Sequence, residues 1–241
     1  MESDSGPLAH KRVVVKISGE ALTGPRQFGI HAPTLHEICT DIKDVKDLGV
    51  EVAVVVGGGN IFRGLAAAQR GMDRVTGDYM GMLATVINSL ALMDVLEGMG
   101  VYTRVMSAIT MEAVAEPYLR RRAVRHLEKG RLVVFAAGTG NPYFSTDTAA
   151  SLRAMEIGAD LLIKATNVDG VYSADPKLHP EAELYRRLSY RDVIARQLKV
   201  IDSTAASLLE DNQIPLRVLA IDRRGNLRRA VLKEDVGTLI C

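Results

Sequence analysis

The 241-residue sequence has no tryptophan, only two cysteines, few aromatic residues and almost no excess of charge of either sign. Cys39 and Cys241 are too few for a disulfide framework or a cysteine-based metal site, and we expect both thiols to be free in a reducing compartment. Thirty basic residues against twenty-nine acidic ones leave a formal charge of +1. Nothing in this balance favours nucleic acid or an anionic membrane as a main partner.

We expect no targeting segment, since the opening residues carry no apolar h-region, and we expect no apolar run long enough to cross a bilayer. The opening residues, MESDSGPLAHKR, are polar. We predict that residues 1–10 form a flexible tip and that residues 11–241 form a single domain, since no repeat or linker interrupts them. We therefore expect a cytoplasmic protein without a membrane partner.

Strand and helix patterns alternate along the chain. Apolar runs predict strands at 13–17, 52–56, 101–106, 132–136, 160–165 and 216–221, with a closing edge strand at 238–240. Periodic apolar positions and capping residues predict helices at 35–48, 76–96, 111–119, 148–158, 189–196 and 202–211. The alternation predicts an α/β fold, a three-layer αβα sandwich with a mainly parallel central sheet.

The second predicted strand runs into Gly57, Gly58 and Gly59, hereafter the first glycine loop, with Arg63 shortly after it. Bare backbone N–H groups can approach a ligand closely, and a guanidinium suits bidentate contact with phosphate oxygens. The alternative is a tight β–α turn with Arg63 solvated at the surface. The Walker A pattern is absent, because Leu65 stands where its lysine would be, and no dinucleotide fingerprint follows a strand.

Two other strand ends carry glycine beside hydroxyl or cationic side chains. Lys16 ends the first strand and precedes Ser18 and Gly19, and the strand at 132–136 runs into residues 138–147, GTGNPYFSTD, hereafter the second glycine loop. Because the carboxyl ends of parallel strands meet at one edge of a sheet, these segments are expected to form one anion-binding rim.

Several candidate residues also have an ordinary structural interpretation. Asp78, Asp147 and Asp202 each fall near the start of a predicted helix, where a carboxylate complements the helix dipole without any catalytic role. Lys164 near a strand end could instead be a surface lysine, but its place beside Ala165 and Thr166 favours the site. The basic run at 120–126 has no interleaved aromatic residues, so a solvated helix face is the preferred interpretation over a nucleic-acid site.

Five segments stand out in order along the chain: KISGEA from Lys16, GGGNIFRG from Gly57, GDYMGMLAT from Gly77, GTGNPYFSTD from Gly138 and KATNVDGVY from Lys164. In order and spacing they resemble the amino acid kinase family and, within it, the bacterial uridylate kinases. The resemblance extends from Lys11 to Ile240. It implies transfer of the γ-phosphoryl group of ATP to UMP, with Mg²⁺, giving UDP and ADP in pyrimidine nucleotide biosynthesis.

The resemblance also implies roles for individual residues. The catalytic set is Lys16, Arg63, Asp147, Lys164 and Asp202. ATP would contact Lys16, Ile17, Ser18, Gly19, Gly59, Arg63, Thr166, Asn167, Tyr172 and Asp175. UMP would contact Gly58, Asp78, Thr139, Gly140, Asn141, Pro142, Tyr143, Phe144, Ser145 and Thr146. Mg²⁺ would be held through phosphates and water, with no direct protein ligand.

Regulation and assembly follow from the same resemblance: activation by GTP, inhibition by UTP, and a homohexamer built from dimers. The segment that matches the loop associated with the GTP response consists of Gly24, Pro25, Arg26, Gln27, Phe28 and Gly29.

Two other functions remain open. A kinase of this family acting on a carboxylate or carbamate is disfavoured by Asp78 and the 139–146 segment, which suit a nucleotide acceptor. A non-catalytic protein that binds a nucleotide or an oxyanion on the same fold is disfavoured by the joint presence of Lys16, Arg63 and Asp147.

Overall fold

The computed structural model describes residues 10–63, 71–176, 178–198 and 200–241. Residues 1–9 of the predicted flexible tip lie outside the described residues, as do Gly64 and Leu65. The described strands are β1 (Arg12–Ile17), β2 (Glu51–Val56), β3 (Thr103–Ser107), β4 (Glu116–Pro117), β5 (Leu132–Ala136), β6 (Leu161–Thr166), β7 (Val171–Tyr172), β8 (Leu184–Tyr185), β9 (Arg187–Leu188), β10 (Leu216–Ala220) and β11 (Thr238–Ile240). The helices are α1 (Ala32–Lys46), α2 (Arg74–Gly98), α3 (Arg120–Glu128), α4 (Thr146–Ile157), α5 (Tyr190–Ala195), α6 (Ser203–Asp211) and α7 (Asn226–Val231), with a 3₁₀ turn at Gly19–Leu22.

Within the described residues, nine strands form one sheet in the order β4-β3-β5-β2-β1-β6-β10-β11-β9. Neighbouring strands run parallel, except that β10 and β11 are antiparallel. β7 and β8 pair separately as an antiparallel ribbon. The prediction of an α/β fold with a mainly parallel central sheet is confirmed.

The two faces of the sheet carry separate hydrophobic cores. Val13, Val15 and Ile17 of β1 pack with residues of α1, α2 and α7. Val14 of β1 and Leu162 of β6 pack on the other face with residues of α4 and α6. Side chains two positions apart along a strand lie on the same face. Lys16 of β1 and Lys164 of β6 therefore also face the α4 side, at the carboxyl ends of these strands.

Side-chain capping is observed at the starts of α4 and α5, although α4 begins at Thr146, two residues before its predicted start. Ser145 Oγ accepts from the Thr148 backbone N–H at 3.0 Å, and Gly158 ends α4 in a left-handed conformation. Ser189 forms a capping box at the start of α5. α1 begins at Ala32, three residues before the predicted start, because Pro33 is tolerated in a first turn where backbone N–H groups have no helical partner.

Two element predictions are wrong. Residues 111–119 form a turn and strand β4 instead of a helix, since Pro117 has no backbone N–H and would clash inside a helix; it pairs with Ser107 at the edge of the sheet. β11 is not the closing edge, because β9 lies outside it. A two-residue strand carries too little alternation to be recognised in the sequence.

Helix α2 contradicts the expectation that no segment is long and apolar enough to cross a membrane. Its 25 residues have a mean hydropathy of 1.5 over the relevant window and pass that test by length and composition alone. In the structure 44% of that window is buried, and Leu92 and Leu96 are fully buried in the core of the α1 face. Part of the apolar composition of α2 is therefore explained by its packing against the sheet.

Candidate active site

Two lysines stand side by side at the carboxyl end of the sheet. Lys16 of β1 and Lys164 of β6 are register partners in the parallel β1–β6 pair. Both side chains point toward the α4 face, following the strand alternation described above. Neighbouring strands are about 4.8 Å apart, so the two ammonium groups repel one another unless an anion lies between them.

Asp147, in the first turn of α4, is that anion. Its Oδ1 lies 2.9 Å from Lys16 Nζ, and its Oδ2 accepts a hydrogen bond from Lys164 Nζ at 2.5 Å. Lys164 Nζ also donates to the Val200 carbonyl at 2.5 Å. Lys16 contacts the buried Oδ1 at ion-pair distance, with poorer hydrogen-bond alignment than Lys164 has on Oδ2. That oxygen keeps its capacity to accept a hydrogen bond.

Burial and charge act in opposite directions on this cluster. Burial favours the neutral form of Asp147, but Lys16 and Lys164 outweigh it and hold the pKa of that carboxyl below its usual value. Burial lowers the pKa of Lys164, and the attraction of Asp147 opposes this only in part. Two cations thus share one anion, and the cluster retains positive charge at the sheet edge.

Asp202 stands at the start of α6 and contacts the beginning of α4. Its carboxylate accepts from the Ala205 backbone N–H at 2.9 Å, from Thr148 Oγ1 at 3.1 Å and from Ser145 Oγ. These are capping contacts, and they join the first turns of α4 and α6. Asp202 therefore supports the turn that carries Asp147 instead of pairing with either lysine.

Gly58 of the first glycine loop and Gly19, which follows β1, are packed too closely for a side chain. A Cβ on Gly19, which follows β1, would lie 2.7 Å from Gly57 O and 2.8 Å from Gly59 N. A Cβ on Gly58 would lie 2.7 Å from Gly81 O of α2. The loops after β1 and β2 consequently interlock beside Lys16, and the loop after β2 rests against α2.

Arg63 lies at the exposed end of this loop. Its Nε donates to Gly59 O at 3.2 Å, and its Nη2 donates to the Glu20 carboxylate. The side chain is 62% exposed. The predicted phosphate contact thus requires the guanidinium to exchange a carboxylate partner for phosphate oxygens.

Side chains of helices α2 and α4 form hydrogen bonds with the backbone of the second glycine loop and of Ala137, which precedes it. Ala137 and Tyr143 have left-handed φ values of 61° and 71°. Thr85 Oγ1 of α2 accepts from the Ala137 N–H at 2.8 Å, and Asp78 Oδ2 accepts from the Tyr143 N–H at 2.8 Å. Arg153 of α4, which is 4% exposed, donates to the first carbonyl of the loop at 3.4 Å.

A cavity of about 420 Å³ lies between the two glycine loops and α2. Most of the residues predicted for UMP line it: Gly58, Asp78, Thr139, Asn141, Tyr143, Phe144, Ser145 and Thr146. Gly59 and Arg63, predicted for ATP, line it as well. Gly140 and Pro142 are not among the lining residues. The structure therefore brings most of the predicted acceptor set around one space.

Arg74 also lines this cavity and was missed by the sequence analysis. Its Nε donates to both Asp78 oxygens, at 2.9 and 2.8 Å, and its guanidinium lies 5.6 Å from the centre of the Tyr143 ring. The i, i+4 spacing of Arg74 and Asp78 on a predicted helix was the available signal. Phe62, Gly77, Gly81, Met82, Thr85 and Gly138 complete the lining.

The residues predicted for adenine and its ribose are not gathered in the same way. A second cavity, of about 930 Å³, is lined by Asn167 together with Glu20, Thr23, Gly24 and residues of α1. Thr166 ends β6, Tyr172 lies in β7 and Asp175 follows it, but none of these three lines either cavity. The predicted acceptor side is thus more fully assembled than the predicted ATP side.

The segment predicted to respond to GTP, residues 24–29, is mostly exposed, with Phe28 66% exposed. Its last residue is bound to Asn60, which follows the first glycine loop: the Gly29 N–H donates to Asn60 O at 2.8 Å, and Asn60 Nδ2 donates to Gly29 O at 3.0 Å. Asn60 was not predicted, because nothing in its sequence position indicates this partner.

Across residues 10–63, 71–176, 178–198 and 200–241, no group of three or more His, Cys, Asp or Glu side chains is placed to hold a metal ion. The accepting capacity left on Asp147 Oδ1 fits a water molecule of a hydrated cation. The donor set is therefore compatible with Mg²⁺ that is carried mainly by phosphate oxygens.

Known proteins share this fold and these motifs. A UMP kinase structure from Bacillus anthracis is 44% identical over 96% of both chains, with a TM-score of 0.93. A UMP kinase structure from Ureaplasma parvum is 35% identical over 95% of this chain and 98% of that chain, with a TM-score of 0.88. A uridylate kinase structure from Archaeoglobus fulgidus is 33% identical over 95% and 99%, with a TM-score of 0.74. Residues 11–220 match the amino acid kinase family, and the chain therefore belongs to that family.

Proposed function

We propose that this protein is a UMP kinase, which transfers the γ-phosphoryl group of ATP to UMP and yields UDP and ADP. The observation that carries the proposal is the Lys16–Asp147–Lys164 cluster beside a cavity lined by both glycine loops. The three solved structures described above, UMP or uridylate kinases by name, support the choice of acceptor.

The transfer requires little covalent chemistry from the protein. A phosphate oxygen of UMP attacks the γ-phosphorus, the bond between that phosphorus and the β–γ bridging oxygen breaks, and its electron pair leaves with ADP. Because charge spreads over the γ oxygens, catalysis depends on positioning and charge neutralisation. Lys16 and Lys164 would neutralise that charge, and Asp147 would keep their ammonium groups in place.

In this proposal UMP occupies the 420 Å³ cavity. Asp78 would accept hydrogen bonds from the ribose hydroxyls, and residues 139–146 with Gly58 would contact the uracil and the UMP phosphate. Arg63 would leave Glu20 and span the phosphates of both nucleotides. Asp202 would act indirectly, through its capping contacts with the turn that carries Asp147.

The ATP half would use the rim next to Lys16. Ile17, Ser18, Gly19 and Gly59 would bind the phosphates, and Thr166, Asn167, Tyr172 and Asp175 would bind the adenine and its ribose. Bound Mg²⁺ would supply further positive charge to the phosphates, and Asp147 would orient its water shell. Residues 11–241 would form one domain with these two halves, working in the cytoplasm.

A coupled assay of ADP formation from ATP and Mg²⁺ with UMP, CMP, dUMP or no acceptor tests the proposal. Turnover should be selective for UMP and should fall by about 100-fold or more in Lys16→Met and Lys164→Met. Lys43→Met, which removes an exposed lysine paired with Asp47, is the matched control and should keep full activity. Folded protein that binds ATP without turning over UMP would indicate the binding-protein alternative instead, and turnover with a carboxylate acceptor would indicate the other kinase alternative.

Self-association is the second part of the proposal, with a hexamer expected from the family resemblance. Large apolar side chains lie exposed along one face of α2: Tyr79, Met80, Leu83 and Ile87. Such a face suits a copy of the same chain. Light scattering should give a smaller assembly for Leu83→Glu than for Leu178→Glu, which alters an exposed leucine outside α2.

Regulation by GTP as activator and UTP as inhibitor is the third part, again from the resemblance. The 24–29 segment supports it through the contact of Gly29 with Asn60, which follows the first glycine loop. Adding GTP should raise UMP-dependent turnover, and Phe28→Ala should weaken that response without changing turnover in the absence of GTP. An equal response in both proteins would remove the segment from the proposal.

A further inference from the structure

Two buried asparagines support the first glycine loop and have no part in the transfer chemistry. Asn60 follows the loop and Asn88 lies on α2, and they are 2% and 0% exposed. Asn60 Nδ2 donates to Asn88 Oδ1 at 3.0 Å, and Asn88 Nδ2 donates to Asn60 Oδ1 at 2.7 Å. This reciprocal pairing leaves one further N–H on each amide.

Each remaining N–H binds a backbone carbonyl of a different segment. Asn88 Nδ2 donates to Gly57 O at 2.7 Å, at the start of the first glycine loop. Asn60 Nδ2 donates to Gly29 O at 3.0 Å, and the Gly29 N–H donates back to Asn60 O at 2.8 Å. All side-chain N–H groups of the pair are thereby used, and α2, the first glycine loop and the 24–29 segment share one network.

The pair also contacts the loop that follows β1. A Cβ on Gly19 would lie 2.6 Å from Asn60 Oδ1, so the amide rests directly against that backbone. Gly19 in turn packs against Gly57 and Gly59. The Asn60 side chain therefore contacts the backbone of both loops beside Lys16, directly at Gly19 and through Asn88 at Gly57.

We propose that Asn60 and Asn88 are positioning residues: their paired amides hold the first glycine loop in the shape that phosphate binding needs and couple it to the 24–29 segment. Removing one amide leaves buried carbonyl and N–H groups without partners, and the loop must shift to hydrate them. The pair is uncharged and acts through the backbone. The proposal rests on the proposed function only where turnover is measured.

Kinetics and ATP binding provide the first test. Asn88→Ala and Asn60→Ala should each raise the KM for ATP and the Kd for Mg-ATP by about 5- to 20-fold, with kcat changed less than about threefold. The double variant should match a single one, because the amides act as a unit. Ser89→Ala is the matched control on the same helix, since the Ser89 hydroxyl donates to Thr85 O within α2, and it should leave all constants unchanged. Asn88→Asp, which is nearly isosteric, replaces Asn88→Ala if the alanine variant does not fold.

Hydrogen exchange of the apo protein provides the second test and needs no turnover. In the pair variants, amides of residues 22–31 and 57–60 should lose protection together, while the remaining strands keep theirs. Two results would overturn the proposal and leave a purely structural contact. One is a uniform loss of protection across the protein. The other is a kcat that falls in proportion to the folded fraction while KM and Kd stay unchanged. If wild-type protein shows no UMP turnover, the proposed function fails, and the exchange pattern still decides the role of the pair.

Discussion

The two glycine loops border the same cavity, but they require glycine for different physical reasons. None of Gly57, Gly58 and Gly59 has a positive φ, and a Cβ on Gly58 would lie 2.7 Å from a backbone oxygen of α2. Gly138 has open space around its Cβ position but a φ of 57°. Gly58 in the first loop is required by close packing, and Gly138 in the second is required by a backbone conformation that L residues rarely adopt. Glycine at the end of a strand can thus indicate either a lack of space for a side chain or a left-handed backbone conformation, and the sequence alone does not distinguish the two.

The loops are also anchored by different chemistry. Neutral amides of Asn60 and Asn88 hold the first loop. A hydroxyl, a carboxylate and a guanidinium, from Thr85, Asp78 and Arg153, hold the second. We therefore expect the first loop to be sensitive to volume and the second to be sensitive to hydrogen-bond partners and to charge.

The largest effect is expected from Gly58→Ala. The new methyl group would meet the backbone of α2, which cannot move without shifting a helix that packs along the sheet, so we expect a loss of about 3 kcal/mol in the free energy of unfolding. Urea denaturation measures it, and UMP-dependent turnover should fall with it.

Gly81→Ala is the matched control for stability. Its Cβ meets nothing within 4 Å inside α2, so the change should stabilise the protein by about 0.5–1 kcal/mol. If Gly58→Ala were as stable as wild type, close packing would not be the reason for glycine in the first loop.

A smaller effect is expected from Thr85→Val, which tests the anchoring of the second loop. Valine keeps the volume but removes the oxygen that accepts from the buried Ala137 N–H, and an unsatisfied donor costs about 1–3 kcal/mol. Thr85→Ser, which keeps the hydroxyl, should lose less stability. Equal losses in the two variants would mean that packing, and not the hydrogen bond, holds this loop.

Gly138→Ala should cost less again. An L residue at a φ of 57° is strained by about 1 kcal/mol, and the open space around the position adds no clash. Gly138→Asn should recover part of this cost, since asparagine tolerates the left-handed region better than alanine. Asparagine at Gly58 should give no such recovery, because its Cβ meets the same backbone atoms; recovery there would undo the contrast between the loops.

The sequence predicted the parts of the site that depend on local pattern. Strand ends and helix caps such as Ser145 are encoded within a few residues, so the rim could be placed from local pattern, whereas the acceptor residues followed from the family resemblance. The role of Asn60 could not, because its partners lie 28 and 31 residues away and only the fold brings them together. β4 was misread for a related reason: the apolar spacing of 111–119 resembled a helix, and the pairing with β3 prevailed.

The smallest expected effect is a loss of stability at low pH, which should differ between the loops because, among the described contacts, only the second is held by carboxylates. The pKa of Asp147 is lowered in the folded state: burial raises it, but Lys16 and Lys164 lower it by more. Between that folded value and the unfolded value of about 3.9, the unfolded chain binds more protons than the folded one, so stability rises with pH. The contribution of Asp147 is therefore complete above this window and is lost as pH falls through it.

The first glycine loop has no buried carboxylate among its described contacts. As pH falls, the second loop should therefore lose stability before the first. After correction for intrinsic exchange rates, amides at 138–150 should lose protection below about pH 4 while those at 57–60 remain protected. Asp147→Asn should abolish this pH dependence, although it lowers stability at neutral pH by removing the carboxylate partner of two largely buried lysines. Simultaneous loss of protection in both loops of the wild type would mean that the two share one anchor, and the difference in their chemistry would then have no consequence for stability.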